Sequence, residues 1–319
     1  MNNTTFTFDE IRARIIGRGS KASKIDWLCK EAGFKAEDAE ATYRLIMMVS
    51  PRPAATRRER REAREAVYEL IHFTVGVEME CTNVNRSAVR RACDERGIAT
   101  HDDYHCYNHR DSQNSYKLMS DGSLRPSRGD MYSTCEIVTP VLNDLSSLKT
   151  VCEVLNAAGC KVNKTCGLHV HFGAADFTDA QWRRIILNYA RIEDIIDGFM
   201  APSRQGDGCT WCRSIKNHAR QIEAMTDPTF AQMRYAFGED RYHKVNLEAF
   251  QRHHTIEFRQ HAGTINYTKI ENWVNFLAGL LTYSIKNEEL LTATTVDELP
   301  FLTASQKRYF KSRAASLAA

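Results

Sequence analysis

The sequence predicts an α+β fold: a mostly antiparallel sheet with helices packed on one side, preceded by a small all-helical segment. Three observations predict it. Residues 1–70 carry apolar residues only at helical spacing. From Ile71 onward, strand patterns alternate with longer helices. Several strand pairs are joined too briefly to hold a crossover helix, which favours antiparallel neighbours over a doubly wound sheet. The expected division is a helical N-terminal extension, 1–70, followed by a larger domain, 71–319.

In the extension, Asp9–Ile16, Lys24–Ala32 and Ala36–Met48 have helical spacing, and Pro51 and Pro53 break the pattern. A charged helix follows from about Thr56 to Leu70, on which Arg57, Arg61 and Glu65, with Arg60 and Arg64, line a wet face that either touches phosphates or is solvated with Arg–Glu pairs at helical spacing. The basic excess is concentrated in Arg57, Arg58, Arg60, Arg61 and Arg64. In the second part, IHFTVGVEME reads as a strand and SAVRRACDERG as a helix closed by Gly97. SYKLM and DMYSTCEIVT read as strands around a turn at Asp121-Gly122. Leu145–Ala158 is amphipathic, and Leu168–Phe172 is a short strand. Thr178 opens a long helix with Asp179 in its first turn. Lys244–Phe250 and His254–Gln260 are expected as paired strands, and helices follow from about Thr268 to Ile285 and from Thr303 onward.

Composition bounds the function. Hydrophobic residues are 43% and charged residues 26% of the 319, as in ordinary globular chains. No apolar run is long enough to span a bilayer, and the first residues lack an apolar signal region, so no membrane partner and a cytoplasmic location are expected. The net charge of +3 is too small to mark a nucleic-acid binder, and all of it lies in residues 1–70. Ten cysteines spread along so long a chain are expected as reduced thiols. The single CxxC, Cys209 and Cys212, is expected to be two partly buried thiols.

Chemistry concentrates on the strands. Glu78 with Glu80, His169 with His171, and Glu257 with Arg259 each stand at i and i+2, which places both members of a pair on one strand face. Glu136 sits on a fourth strand. The flanks, FTVGVEMEC, CEIVTPVL, CGLHVHFG and TIEFRQ, are those of core strands. Two sheltered carboxylates about 7 Å apart repel, and each costs several kcal/mol to desolvate unless a cation joins them. Four such interruptions in apolar strands point to one shared site. Glutamates with an imidazole and no thiolate suit two or more Mg²⁺ or Mn²⁺ ions better than zinc. Such ions serve phosphoryl transfer, with Arg259 a bidentate donor to phosphate oxygens. The chain has no GxxxxGK[ST]; Gly17-Arg18-Gly19-Ser20-Lys21 lacks the spacing, so a nucleotide must be held by metals and side chains.

GVEMEC, DGSLRP with CEIVTPVL, CGLHVHFG, and KVNLEAF leading to TIEFRQHAGT, in that order over residues 71–285, resemble the amidoligase family, grouped with glutamine synthetases and glutamate–cysteine ligases. The resemblance implies a glutamine synthetase-like catalytic core, a curved sheet holding ATP, metals and substrates on its concave face. It implies that Glu80 and Glu136 share one ion and that Glu78, His169 and Glu257 share the other. It places His171 near the nucleotide and Arg259 at the transferring phosphoryl group, Glu257 and Arg259 being the implied catalytic pair. The implied activity is an ATP-dependent carboxylate–amine ligase that forms an amide through an acyl phosphate. Its partners would be a small-molecule or peptide carboxylate and an amine, and relatives often assemble as homo-oligomers.

Other matches leave alternatives open. Asp121 is a ligand or substrate contact, or it shapes its turn. Asn246 holds substrate or makes a sheet-edge hydrogen bond. Arg204 and Arg241 are anion holders at the cofactor or solvated loop arginines. His261 continues the Glu257–Arg259 alternation toward substrate or is a hydrogen-bonded structural histidine. A further glutamate that glutamine synthetases place at the first metal has no clear counterpart near Glu136. Two alternative functions stand beside the ligase: a phosphotransferase on the same metal–ATP site, and a nucleic-acid-associated protein with a degenerate catalytic domain.

Overall fold

The computed structural model describes residues 11, 21–30, 32, 35, 39, 43, 73–103, 114–126 and 133–318. The chain separates into two compact units, Met1–His72 and Phe73–Ala319. In the first, α1 (Lys21–Lys30) buries Trp27 and Leu28 with Ile11 and Ala39, and Ile25, Cys29, Ala32 and Tyr43 pack against them. This helix starts earlier and stops earlier than the expected Lys24–Ala32. The helix expected over Thr56–Leu70, with its arginines, lies outside the described residues, as does nearly all of Asp9–Ile16 and Ala36–Met48.

In the second unit the described residues form an open seven-stranded sheet, with strands β1 (Val75–Cys81), β2 (Thr100–Asp103), β3 (Tyr116–Met119), β4 (Cys135–Val138), β5 (Gly167–Gly173), β6 (Val245–Asn246) and β7 (Thr255–Ala262). Their order is β2-β3-β4-β1-β5-β7-β6, antiparallel throughout except that β2 runs parallel to β3. The α+β architecture is therefore as the sequence predicts. Helices α2 (Arg86–Asp94), α3 (Ser146–Ala157), α4 (Asp179–Asp197), α5 (Lys216–Glu223), α6 (Phe230–Ala236), α7 (Ala249–His253), α8 (Tyr267–Lys286) and α9 (Ala304–Ala318) complete it. No described helix is long and apolar enough to cross a membrane.

The two faces of the sheet differ because strand side chains alternate. Val75, Val77, Met79 and Cys81 of β1 and Leu168, Val170 and Phe172 of β5 are buried on the helix side. Phe258 stacks on Tyr189 of α4 at 5.6 Å and meets Phe172 edge-on at 6.1 Å. Met79 Sδ touches Cys152 Sγ of α3 at 4.0 Å. The intervening positions, Glu78, Glu80, His169 and His171, are left for the other face. α4 begins where the sequence places it: Thr178 caps Gln181 N–H and receives the Gln181 side chain in return, a reciprocal capping box.

Three local features depart from the sequence expectation. The strand expected over Lys244–Phe250 is only β6. Asn246 Oδ1 accepts the Glu248 N–H at 2.8 Å and turns the chain into α7, which His254 closes at φ 54°, ψ 36°. α5 and α6 fill a stretch to which the sequence assigns no element after the Thr178 helix. Between Leu168 and Val170 the β5–β7 register shifts, so that Phe258 faces Val170 but His261 faces Leu168. This bulge places one extra β7 residue opposite β5 and reverses the facing of the β7 residues beyond it.

A buried arginine organises the other end of the sheet. Arg86, at the start of α2, donates to the carbonyls of Leu118, Met119 and Thr134 at 2.9–3.2 Å and to Ser120 Oγ at 3.0 Å. One guanidinium thus ties the end of β3 to the entry of β4, fixing the approach to Asp121 and Glu136. Five fixed donors on one planar group suit it to this clamp.

Candidate active site

Pairing across the sheet brings the chemically active residues together. Glu78 stands opposite His169, Glu80 opposite Glu136, and Glu257 opposite both His171 and Asn246. Directly opposed residues share a face with closely spaced side chains, so five neighbouring strands, β4, β1, β5, β7 and β6, deliver one cluster. His169 is its centre. Its Nδ1 lies 3.0 Å from Glu78 Oε2 and 3.6 Å from Glu257 Oε1, and its Nε2 lies 3.8 Å from Glu80 Oε1. His171 Nε2 is 3.3 Å from Glu78 Oε1 but has no well-formed hydrogen bond, while its Nδ1 meets Thr255 Oγ1 at 2.9 Å.

Glu257 is held on both oxygens. Asn246 Nδ2 donates to Oε2 and Arg259 Nη1 to Oε1, each at 2.5 Å. Glu80 Oε2 accepts the Gly167 N–H, also at 2.5 Å. That contact requires a bare backbone: a Cβ on Gly167 would sit 2.8 Å from His169 Nε2. Gly167→Ala is therefore expected to displace the imidazole and weaken divalent-metal binding about tenfold to a hundredfold, the range seen when a metal ligand loses its orienting partner. A Mn²⁺ titration of wild type and variant tests this, and equal affinities would show that the ring holds no ion.

The electrostatics are those of a cluster short of positive charge. Burial pushes the Glu136 carboxyl up, and repulsion from Glu78, Glu80, Asp121 and Glu257 adds to it, leaving it well above the usual range. Burial also raises Glu80, although His169 and the Gly167 N–H oppose. Burial acts the same way on Glu257, but Arg259 and then His171 and His169 outweigh it and hold it at about 2. Glu78 likewise stays ionised against burial because of His171 and His169. Burial disfavours a charged His171, and Glu257 and Glu78 more than compensate, raising it.

Two triplets of ligand atoms have all members within 4.8 Å of one another: Glu78, His169 and Glu257, and Glu80, Glu136 and His169. Carboxylates crowded until one is pushed toward neutrality, with a buried imidazole nitrogen lacking a good partner beside them, fit divalent cations. Oxygen-rich sets of this kind suit Mg²⁺ or Mn²⁺.

Two cavities open onto the cluster. The larger, about 570 Å³, is lined by Glu78 and His171 with Gly76, Lys117, Val138 and Arg252 among others. The smaller, about 360 Å³, is lined by Glu80, Glu136 and His169 with Asp121, Arg204, Trp211, Arg241 and Arg259 among others. Arg204 is buried, donating to the Cys166 carbonyl at 2.7 Å. Arg241 is exposed beside Tyr242. Asp121 Oδ1 accepts the Ser123 N–H at 2.6 Å, so it both shapes its turn and faces the cavity.

Two residues with a substrate reading, Asn246 and His261, are not among the residues lining either cavity. Asn246 is buried against Glu257 and spends both ends of its amide on Glu257 and the Glu248 N–H. His261, past the bulge, is buried with its ring over Trp273 of α8 and Nδ1 against its neighbour's carbonyl. Burial holds it at about 4, neutral and on the helix side. Lys117, Arg252, Trp211 and Tyr242 were missed from the sequence. They lie on separate segments outside the paired glutamate and histidine strands that marked the centre.

Buried acids and imidazoles gathered between two cavities define an enzyme-type centre. Over residues 72–281 the chain matches the family model described as "Putative amidoligase enzyme". The match spans well over half of the sequence, and the chain belongs to this amidoligase family. No curated protein matches it.

Proposed function

We propose that the protein is an ATP- and divalent-metal-dependent carboxylate–amine ligase. The observation that carries this is the pair of ligand triplets sharing His169, with a separate cavity on either side. A reaction that joins two molecules at the expense of a third needs such a two-sided centre. The larger cavity, with the apolar wall of Val138 and the cations Lys117 and Arg252, suits a purine nucleotide whose phosphates point to His171 and Glu78. The smaller, with Arg204, Arg241 and Arg259, suits the acid. In this reading Arg204 and Arg241 hold the substrate's anionic groups and not the cofactor.

The acid's carboxylate oxygen attacks the γ-phosphorus and ADP leaves, giving an acyl phosphate. The amine then attacks the carbonyl carbon, phosphate leaves, and the nitrogen gives up one proton. Divalent ions held by the two triplets would neutralise charge on the transferring phosphoryl group. Arg259, fixed by Glu257, adds a rigid planar donor to the same group. Asp121 keeps its second oxygen for the ammonium form of the amine or for the proton it releases.

Calorimetric titration with ATP, with and without Mg²⁺ or Mn²⁺, tests the site before any substrate is known. Binding should require the metal and should weaken at least about tenfold in Glu78→Gln, which removes one ligand. ATP binding indifferent to metal and mutation would exclude this reading. Product analysis then separates the ligase from the phosphotransferase: amide with ADP and phosphate in one case, a stable phosphorylated acid in the other.

A further inference from the structure

Cys209-Thr210-Trp211-Cys212 has no part in the reaction above, yet it stands at the rim of the smaller cavity. The Cys212 N–H donates to the Cys209 carbonyl at 3.2 Å. A turn closed in this way brings its end Cα atoms within about 7 Å, next to the span a disulfide bridges. The two thiols hydrogen-bond to each other. Cys212 is fully buried, whereas Cys209 is partly exposed. Arg204 Nη1 lies 3.9 Å from Cys212 Sγ. Trp211 lines the cavity, and its carbonyl accepts from Arg259 Nε at 3.4 Å.

An accessible thiol, a buried second thiol within bonding reach and an adjacent cation form the arrangement of an exchanging dithiol. The Cys212 hydrogen bond, against some burial and with help from Arg204, brings Cys209 down to about 5. Cys93, Cys135 and Cys152 are instead buried and pushed up to between about 11 and about 12.

We propose that Cys209 and Cys212 are a redox-active dithiol, which a low-molecular-weight disulfide oxidises to an intramolecular disulfide on the rim of the arginine-lined cavity. The Cys209 thiolate attacks one sulfur of the small disulfide, forming a mixed disulfide and expelling one thiolate. Cys212 gives up its proton and attacks Cys209 Sγ, expelling the second. Two protein thiols are oxidised to one disulfide, and the small disulfide is reduced to two thiols. Arg204 reaches from Cys212 to the Cys166 carbonyl, and the next residue, Gly167, holds Glu80. The new bond therefore forms directly behind Arg204 and Trp211, two residues of the cavity wall.

The test uses the full chain and glutathione, and it does not depend on ligase activity. At pH 6, iodoacetamide should modify Cys209 on the order of tenfold faster than Cys29, since greater ionisation outweighs the lower nucleophilicity of an acidic thiolate. Glutathione disulfide should produce a Cys209–Cys212 bond, mapped by peptide mass, before any other. Cys212→Ser should trap Cys209 as a mixed disulfide with glutathione, and Cys209→Ser should leave Cys212 unmodified. Alkylation of Cys209 no faster than of Cys29, or wild-type protein in which these two thiols stay reduced while other cysteines oxidise, would overturn the proposal even if a variant failed to fold.

Discussion

Glu257→Gln is expected to lower divalent-metal affinity and metal-dependent turnover at least about a hundredfold, beyond the range for loss of an orienting partner alone. The reason lies in how the carboxylate is held. Asn246 donates to one oxygen and Arg259 to the other. A glutamine offers one acceptor and one donor, so either orientation sets an NH₂ against another donor. The variant loses the ligand charge and also leaves a buried donor unmatched, costing about 1–3 kcal/mol. Full loss of the fold is not expected, because Glu78 and Glu80 also act on Arg259 and keep it compensated. Mn²⁺ titration with far-UV circular dichroism checks both parts. A folded variant that binds metal as wild type does would remove Glu257 from the centre.

The second large effect is on stability and has the opposite sign. Glu136 has a folded pKa well above its usual value because of burial and four neighbouring carboxylates. For a carboxyl raised in this way, the stability contribution is full below its unfolded pKa and is lost as pH rises through the folded value. Metal-free protein should therefore lose stability as pH climbs from about 4 toward and through that raised value. Glu136→Gln removes the titration. In chelator at pH 8 it should melt at least about 2 °C above wild type, the shift expected for roughly 1 kcal/mol in a domain of this size, and the curves should converge in acid. Saturating Mg²⁺ or Mn²⁺ should narrow the gap by stabilising wild type. A variant less stable than wild type in chelator at pH 8 would mean that Glu136 is not under charge repulsion.

The centre was legible in the sequence to the extent that strand geometry is. A period of two requires Glu78 with Glu80, and His169 with His171, to share a face wherever their strands lie. It does not determine strand register: the resemblance joined Glu80 to Glu136 and the short connection paired the last two strands, but the direct opposition of Glu80 to Glu136 and of Asn246 to Glu257 needed the structure. The rule also failed where its premise failed. His261 is two residues beyond Arg259, but the bulge opposite His169 inserts a residue and turns it onto Trp273. Nothing in TIEFRQHAGT marks that extra residue. The strand expected through Phe250 stopped for a similar local reason, since the Asn246 side chain captures a backbone N–H and bends the chain into a helix. The cavity walls were the least legible, because Trp211, Arg252 and Lys117 come from separate segments with no common spacing.

His169 is the one ring common to both ligand triplets. A neutral imidazole has a single lone pair, so only one ion can claim it at a time. The two positions therefore cannot be equivalent even though their carboxylates are alike: one is nitrogen-containing, the other oxygen-only. If the centre holds two ions, as the proposed function has it, they would load in a defined order, and manganese offered together with magnesium would take the ring.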